Sequence, residues 1–206
     1  MSLNIQSVKN IIFDLGGVII NLSVPSTVLA FAKASGKSVD EVAALVNSPG
    51  FINYEKGLIS DEAFRQHVRE ELNWQASDNE IDESWNAMLL DIPLERLQLL
   101  ERLKKSYRIF LLSNTNEIHL RKFNQILDST SGQKEMDGYF HKAYYSHRMK
   151  MRKPDVEIFE FVVNENELNP EETLFLDDNL SNLKGAEMAG IKTFHVQTPE
   201  LIFSLF

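Results

Sequence analysis

Cysteine is absent from the 206 residues, which excludes disulfides and thiolate metal sites outright. The absence agrees with a reducing compartment. No stretch approaches the roughly 18 apolar residues of a membrane span. The opening "MSLNIQSVKN" lacks a basic leader followed by a long apolar segment. A cytoplasmic protein with no membrane partner is therefore expected. Positive charge is also in short supply, with 21 Lys and Arg against 30 Asp and Glu, a formal net charge of -9. That balance argues against a general polyanion-binding surface, and so against nucleic acid as a partner. There is no internal repeat and no low-complexity segment. The five histidines (His67, His119, His141, His147 and His195) lack the spacing of a metal set. Nothing in the sequence assigns an oligomeric state.

What is present is an alternation. Four short runs rich in β-formers, "VKNIIFDL", "RIFLLSN", "TLFLDD" and "KTFHV", are separated by amphipathic stretches of helical length. Strands bounded by helices predict a parallel sheet covered on both faces, a Rossmann-like α/β fold. Ligands of such sheets sit at the carboxyl ends of the strands. There the sequence puts Asp14, then Ser113 and Asn114, then Asp177 and Asp178. Residues 23–90 read differently. Four helix-like segments with Ser or Asp at N-cap positions, and no strand, predict an inserted helical bundle. Pro93 marks the return to the sheet. The expected division is a core of residues 1–22 and 91–206 with a helical cap of 23–90, placed to serve as a lid.

Each polar residue at a strand end has an ordinary reading as a turn or cap. Their order and context carry more: "FDLGGVI", "EKGLISDEAF", "LLSNTN", "MRKPD" and "FLDDN" followed by Asn182 and "GAEMAGI". This series resembles the haloacid dehalogenase superfamily of aspartate-nucleophile hydrolases. The nearest likeness is to its helical-cap sugar-phosphatase branch, which includes a bacterial α-D-glucose-1-phosphate phosphatase. The resemblance implies a phosphomonoesterase acting on a small phosphorylated metabolite. Asp14 would attack phosphorus, splitting one hard hydrolysis into two easier steps. Mg²⁺ would be held by Asp14, the Gly16 carbonyl and Asp178, with Asp177 and Asn182 in support. Ser113, Asn114 and Lys153 would bind the phosphoryl group, and Lys153 would also hold Asp14 ionised and aimed.

One position departs from that pattern. Phosphatases of the superfamily usually carry a second Asp two residues after the nucleophile, as general acid and base. Here that position is Gly16. Such help is typically worth about 10²–10⁴-fold in rate. Three readings follow. The enzyme works on a leaving group that needs little protonation, such as a sugar 1-phosphate. Alternatively, the chain is a catalytically impaired phosphate-binding or partner-binding member. The third reading is a 2-haloacid dehalogenase, for which the paired acids of "FLDD" make little sense.

Further residues have weaker assignments. The basic loop from His147 to Lys153 either steers substrate through Arg148, Lys150 and Arg152 or is a solvated surface. Tyr54 and Glu55 fall where the cap would face substrate, and His119 follows the Ser-Asn loop closely. Trp74 and Trp85 read as bundle core. The C-terminal "TPELIFSLF" reads as an amphipathic helix docked on the core.

Overall fold

The computed structural model describes residues 5–206; residues 1–4, the start of the segment expected to hold no leader, lie outside the described residues. Five parallel strands form one sheet: β1 (Asn10–Phe13), β2 (Arg108–Ser113), β3 (Lys142–Tyr145), β4 (Thr173–Asp177) and β5 (Lys192–His195). Their order is β3-β2-β1-β4-β5, with the first strand at the centre. The sequence predicted four strands. The additional one, β3, is an edge strand of four residues, "KAYY", too short to show a period.

Alternation along the strands separates two layers. Ile11, Phe13, Ile109, Leu111, Leu174 and Leu176 pack on one face, beneath α6 (Leu94–Leu103) and α7 (Glu117–Ser131). Ile12, Phe110, Leu112 and Phe175 pack on the other, against α9 (Val156–Glu165) and α10 (Leu180–Met188). All four residues of β1 are buried, as expected for a strand covered on both sides. Register then fixes the active edge. Phe13 pairs with Leu111 on one side and Leu176 on the other, so the residues that follow, Asp14 and Asp177, lie side by side. The Asp14 N–H donates to the Leu176 carbonyl at 2.8 Å.

Between β1 and α6 the chain makes five helices: α1 (Val24–Ser35), α2 (Val39–Val46), α3 (Pro49–Glu55), α4 (Asp61–Leu72) and α5 (Asp78–Asn86). The sequence showed four helical segments; α3, seven residues beginning Pro-Gly, is too short to carry a clear period. Ser38 and Ser77 each close a capping box with the Glu three residues on, and Ser60 caps α4. The helices enclose their own apolar cluster, in which Phe31, Val42, Phe51, Phe64, Val68, Ile81 and Trp85 are all at most 2 % exposed. The insert joins the sheet layer through two chain crossings. These pair with each other: Leu22 bridges Leu89, and the Asn21 N–H reaches the Asp91 carbonyl at 2.9 Å.

The C-terminal segment docks through Ile202, buried against the sheet, but its Pro199–Ser204 turn is a 3₁₀-helix rather than an α-helix. A short α8 (Ser146–Met149) follows β3 and includes the first residues of the basic loop. Among the described residues no helix is long and apolar enough to cross a membrane.

Candidate active site

Lys153 is the pivot of the strand-end cluster. Its Nζ lies 2.7 Å from Asp14 Oδ1 and 2.7 Å from Asp177 Oδ2, and its side chain is 1 % exposed. Asp177 is fully committed: Asn182 Nδ2 donates to both of its oxygens, at 3.1 and 2.9 Å, and the Asn179 N–H donates to Oδ1 at 2.7 Å. Asp14 Oδ1 accepts a second bond from the Leu15 N–H at 2.7 Å, whereas Oδ2 has no hydrogen-bond partner among the described residues. Asp178, by contrast, is exposed. One oxygen from each of Asp14, Asp177 and Asp178 falls within a mutual 4.8 Å.

The charge balance of this cluster is unfavourable by itself. Burial, then repulsion from Asp177, raises the Asp14 carboxyl to about 7 despite the opposing Lys153 ammonium. Burial and Asp177 also push Asp178 upward. Burial acts to lower the Lys153 ammonium, but Asp14 and Asp177 outweigh it and its pKa is raised. Three carboxyl groups thus share one ammonium, and every donor atom is a hard oxygen. That set of Asp14, Asp177 and Asp178 oxygens suits a divalent cation such as Mg²⁺.

The two glycines that follow Asp14 and Leu15 do different work. Gly17 has φ +68°, and a Cβ there would meet Asp178 Oδ2 at 2.3 Å. Only glycine lets the Asp178 carboxyl lie against this turn. A Cβ on Gly16 would meet Leu22 Cδ1 at 2.3 Å. The tip of Leu22 therefore fills the space into which a side chain at position 16 would grow. Sequence reading missed both contacts, although the "GG" pair was a signal for the first.

Ser113 ends β2 and is buried. Asn114 clamps the residue that carries the pivot: its Nδ2 donates to the Lys153 carbonyl and its Oδ1 accepts from the Lys153 N–H, both at 2.9 Å. Beyond them a cavity of about 420 Å³ opens between the strand ends and the insert. Gly16, Leu22, Ser113 and Asn114 form its floor, and Phe51, Glu55 and Trp85 belong to its far wall.

The basic loop is a set of struts rather than a solvated surface. Arg152 Nη2 pairs with Glu55 Oε2 at 2.9 Å across the gap between loop and insert, and both residues line the cavity. Lys150 donates to the Gly57 carbonyl, while Arg148 approaches Glu117 at 3.6 Å. Ser146 Oγ donates to the Glu55 carbonyl at 2.7 Å. Tyr54, unlike Glu55, does not line the cavity. Its hydroxyl donates to Asp61 at 2.7 Å and accepts from the Ile118 N–H at 3.3 Å, which ties the insert to α7.

Trp85 packs in the insert cluster and also borders the cavity; Trp74 packs at the cluster's edge. His119, also on the cavity wall, stacks on Trp85 at 4.5 Å between ring centres. Burial pulls its pKa down to about 4, so it is neutral near pH 7. A tautomer with Nδ1 accepting from Asn116 and Nε2 donating to the Trp85 carbonyl satisfies both nitrogens. Two donors on the wall have no partner among the described residues: Trp85 Nε1 and Arg152 Nε, both buried. Each such orphan costs about 1–3 kcal/mol unless something fills it.

The family model for haloacid dehalogenase-like hydrolases matches residues 8–190. A D-ribitol-5-phosphate phosphatase of Bacteroides thetaiotaomicron is 32% identical over 188 residues, 91% of each chain. A haloacid dehalogenase family enzyme of the same species, solved in complex with magnesium and inorganic phosphate, superposes with a TM-score of 0.83 at 38% identity. That match covers 91% of this chain and 93% of that one. The L-2-haloacid dehalogenase of Xanthobacter autotrophicus, at 18% identity and a TM-score of 0.61 over 91% of this chain and 77% of that one, shares the fold alone. On the match across most of its length, the chain belongs to the haloacid dehalogenase-like hydrolases, as an enzyme of their phosphatase type.

Proposed function

We propose that the protein is a Mg²⁺-dependent phosphomonoesterase whose substrates are small phosphorylated metabolites of the sugar or sugar-alcohol kind. The observation that carries this reading is the Lys153 bridge, 2.7 Å to each of two buried acids, beside a third acid on the same strand edge. In this reading Asp14 is the nucleophile, aimed by two donors on its Oδ1. Asp14, Asp178 and the Gly16 carbonyl hold the cation, while Asp177 and Asn182 fix Lys153 and the turn into α10. A bound Mg²⁺ supplies charge neutralisation between the carboxylates and the phosphate dianion.

An Asp14 oxygen bonds to phosphorus, and the ester P–O bond breaks with its electron pair passing to the leaving oxygen, which takes a proton from water. A second water then attacks phosphorus, releasing phosphate and restoring the Asp14 carboxylate. Ser113, the Asn114 backbone N–H and Lys153 stabilise the charge spread over the equatorial oxygens. The same proposal assigns residues 23–90 as a cap over a core of 1–22 and 91–206. Its support is the apolar cluster built almost wholly from the insert, to which α7 adds Ile118, and the paired crossings at Leu22 and Leu89.

The finer reading concerns the leaving group. With glycine at position 16 there is no side chain to donate a proton, which favours a leaving oxygen more acidic than an ordinary alcohol. A sugar 1-phosphate has one. The Bacteroides relative is named for ribitol 5-phosphate, the ester of a primary alcohol. A phosphate-release panel containing both ester types, run with Mg²⁺ and with EDTA beside the Asp14→Asn variant, tests the proposal. Mg²⁺-dependent release that the variant abolishes is the expected outcome. A wild type inactive on the whole panel supports the impaired, phosphate-binding reading instead, and chloride release from 2-haloacids in EDTA supports the dehalogenase reading.

A further inference from the structure

Insert, phosphate loop and basic loop meet at the start of α8. Ser146 Oγ accepts from the Thr115 N–H at 2.9 Å, and lies 2.7 Å from the Glu55 carbonyl and 3.0 Å from the Thr115 carbonyl. His147 Nδ1 faces the same Thr115 carbonyl at 3.2 Å, and Nε2 faces Glu117 Oε2 at 3.1 Å. Thr115 belongs to the loop that follows Ser113 and Asn114, and Glu55 ends α3 of the insert. The insert's next turn rests on the same point: Gly57 has φ +62°, and a Cβ there would collide with the His147 carbonyl oxygen. Thr115, Ser146 and His147 are all buried.

The number of hydrogens at this joint depends on His147. Three acceptors need donors: the Glu55 and Thr115 carbonyls and the Glu117 carboxylate. No other hydrogen bond reaches either carbonyl among the described residues. The Ser146 hydroxyl carries one hydrogen, a neutral imidazole adds one, and the imidazolium adds two. Only with His147 protonated on both nitrogens does each acceptor have a donor. In the neutral ring the remaining N–H stays with the carboxylate, the stronger acceptor, and the Nδ1 lone pair turns against the Thr115 carbonyl. One Ser146 hydrogen is then left to serve two carbonyls.

Charged neighbours set where that change falls. Burial lowers the His147 pKa, Glu117 from α7 acts against it, and Arg148 of α8 adds to the lowering. Lys150, Asp61 and Tyr54 border a small cavity together with the ring. Lys150 donates to the Gly57 carbonyl, while Asp61 accepts from Tyr54 and Arg121. Tyr145 of β3 lies 6.1 Å from the ring, its hydroxyl on Asp137. The third hydrogen is therefore present on the acid side of the usual histidine range and is lost as pH rises.

We propose that His147 is a positioning residue whose second ring proton latches the insert to the phosphate-binding loop: the imidazolium takes the Thr115 carbonyl and frees the Ser146 hydroxyl to hold the Glu55 carbonyl. The role rests on the phosphatase reading above and adds a pH dependence set outside the strand edge.

Glu117→Gln tests it. The glutamine amide donates to Nε2, so a neutral His147 keeps its hydrogen on Nδ1 for Thr115, and the latch holds at every pH. Ring-nitrogen NMR shifts of the Mg²⁺-loaded protein read this directly. Wild-type His147 is doubly protonated at acid pH and takes the Nε2–H tautomer at alkaline pH, whereas in Glu117→Gln the alkaline form is the Nδ1–H tautomer. The consequence is read as KM for the fastest ester of the phosphate panel, wild type divided by Glu117→Gln, so that ionisation of substrate and of Asp14 cancels. That quotient is near one at pH 5 and rises about 3- to 10-fold by pH 8, the size of one ordinary hydrogen bond. Ser146→Ala has no hydroxyl to redirect, and its KM is raised at every pH. The same alkaline tautomer in both proteins, or a quotient flat from pH 5 to 8, overturns the proposal. A wild type that hydrolyses no ester on the panel overturns the phosphatase reading instead. The NMR shifts tell the two failures apart, because the tautomer swap needs no turnover.

Discussion

The strand edge and the helical insert solve opposite problems. At the edge, Asp14, Asp177, Lys153 and Asn182 are buried, and their hydrogen bonds run between segments more than 20 residues apart as well as within the turn after β4. Such a cluster cannot drift, because each member is oriented by another. In the insert the buried groups are mostly apolar and the ion pairs lie at or near the surface. The edge is built for one reaction, which needs charge fixed in place. The insert is built to hold its shape through apolar packing. One region spends stability on function, and the other supplies it.

The largest effect that separates the two is on turnover. Asp14→Asn removes the nucleophile of the proposed mechanism and one of three clustered carboxyls, so phosphate release falls at least about 10³-fold. Thermal unfolding stays at or above the wild-type midpoint, since the variant relieves repulsion with Asp177. The reverse experiment is Phe64→Ala. Phe64 is fully buried, stacks on Tyr54 at 4.1 Å and meets Phe51 edge-on at 4.9 Å. Its truncation costs about 3–5 kcal/mol, read from denaturant midpoints. A stable Phe64→Ala variant, or an unstable Asp14→Asn, breaks the contrast.

How much of this was legible depended on whether a residue's role is local. Strand, turn and acid follow one another in sequence at Asp14 and at Asp177, so the edge could be read from short runs and from the order of those runs. The insert's helices announced themselves through serine caps and helical spacing. Pairings across long separations were not legible. Nothing in the sequence links Leu22 to Gly16 as a plug, or Arg152 to Glu55 as a pair 97 residues apart, because each contact is created by how the insert sits on the sheet. Tyr54 shows the same limit from the other side. It neighbours Glu55 in sequence, yet helical geometry turns it into the bundle and onto Asp61. β3 and α3 escaped for a simpler reason, being four and seven residues long.

Acid–base linkage gives the next test. In the metal-free protein burial and Asp177 push the Asp14 carboxyl up to about 7, above the ordinary carboxylate range, so the folded state retains a proton that the unfolded chain has released. Stability is therefore greatest below about pH 4 as far as this group is concerned, and declines as pH rises towards 7. Asp178, also raised, acts in the same direction. Melting curves of the EDTA-treated protein should show the decline, Asp14→Asn should flatten it, and added Mg²⁺ should reduce it by favouring the charged carboxylates. A metal-free melting point that climbs steadily from pH 4 to 7, without flattening in Asp14→Asn, contradicts the charge imbalance on which the cation site rests.

A smaller effect sharpens the role of Leu22. Gly16→Asp must push aside the Leu22 tip that a Cβ would meet at 2.3 Å, at a cost of about 1–3 kcal/mol because the obstacle is a flexible side-chain end. Adding Leu22→Ala clears the space. If the acid then reaches the leaving group, hydrolysis of ordinary alkyl phosphates gains more than that of sugar 1-phosphates, whose leaving oxygen needs a proton less. An unchanged ratio removes the leaving-group argument.

The smallest effect isolates what is special about one cross-gap contact. Lys56 and Asp155 join insert to core at 3.0 Å, much as Glu55 and Arg152 do at 2.9 Å, from adjacent residues of the same helix end. The difference is exposure and outlook: the Asp155 side chain is 49% exposed, and neither member of that pair lines the cavity. A surface pair of this kind is worth about 0–1 kcal/mol and is weakened by salt. Lys56→Ala should therefore shift the melting point by a degree or two at most and leave phosphate release where it was, whereas Glu55→Gln, on the cavity wall, should lower it. If Lys56→Ala lowered phosphate release as much as Glu55→Gln, any strut across the gap would tune activity. The insert would then act through its closure rather than through the groups on its wall.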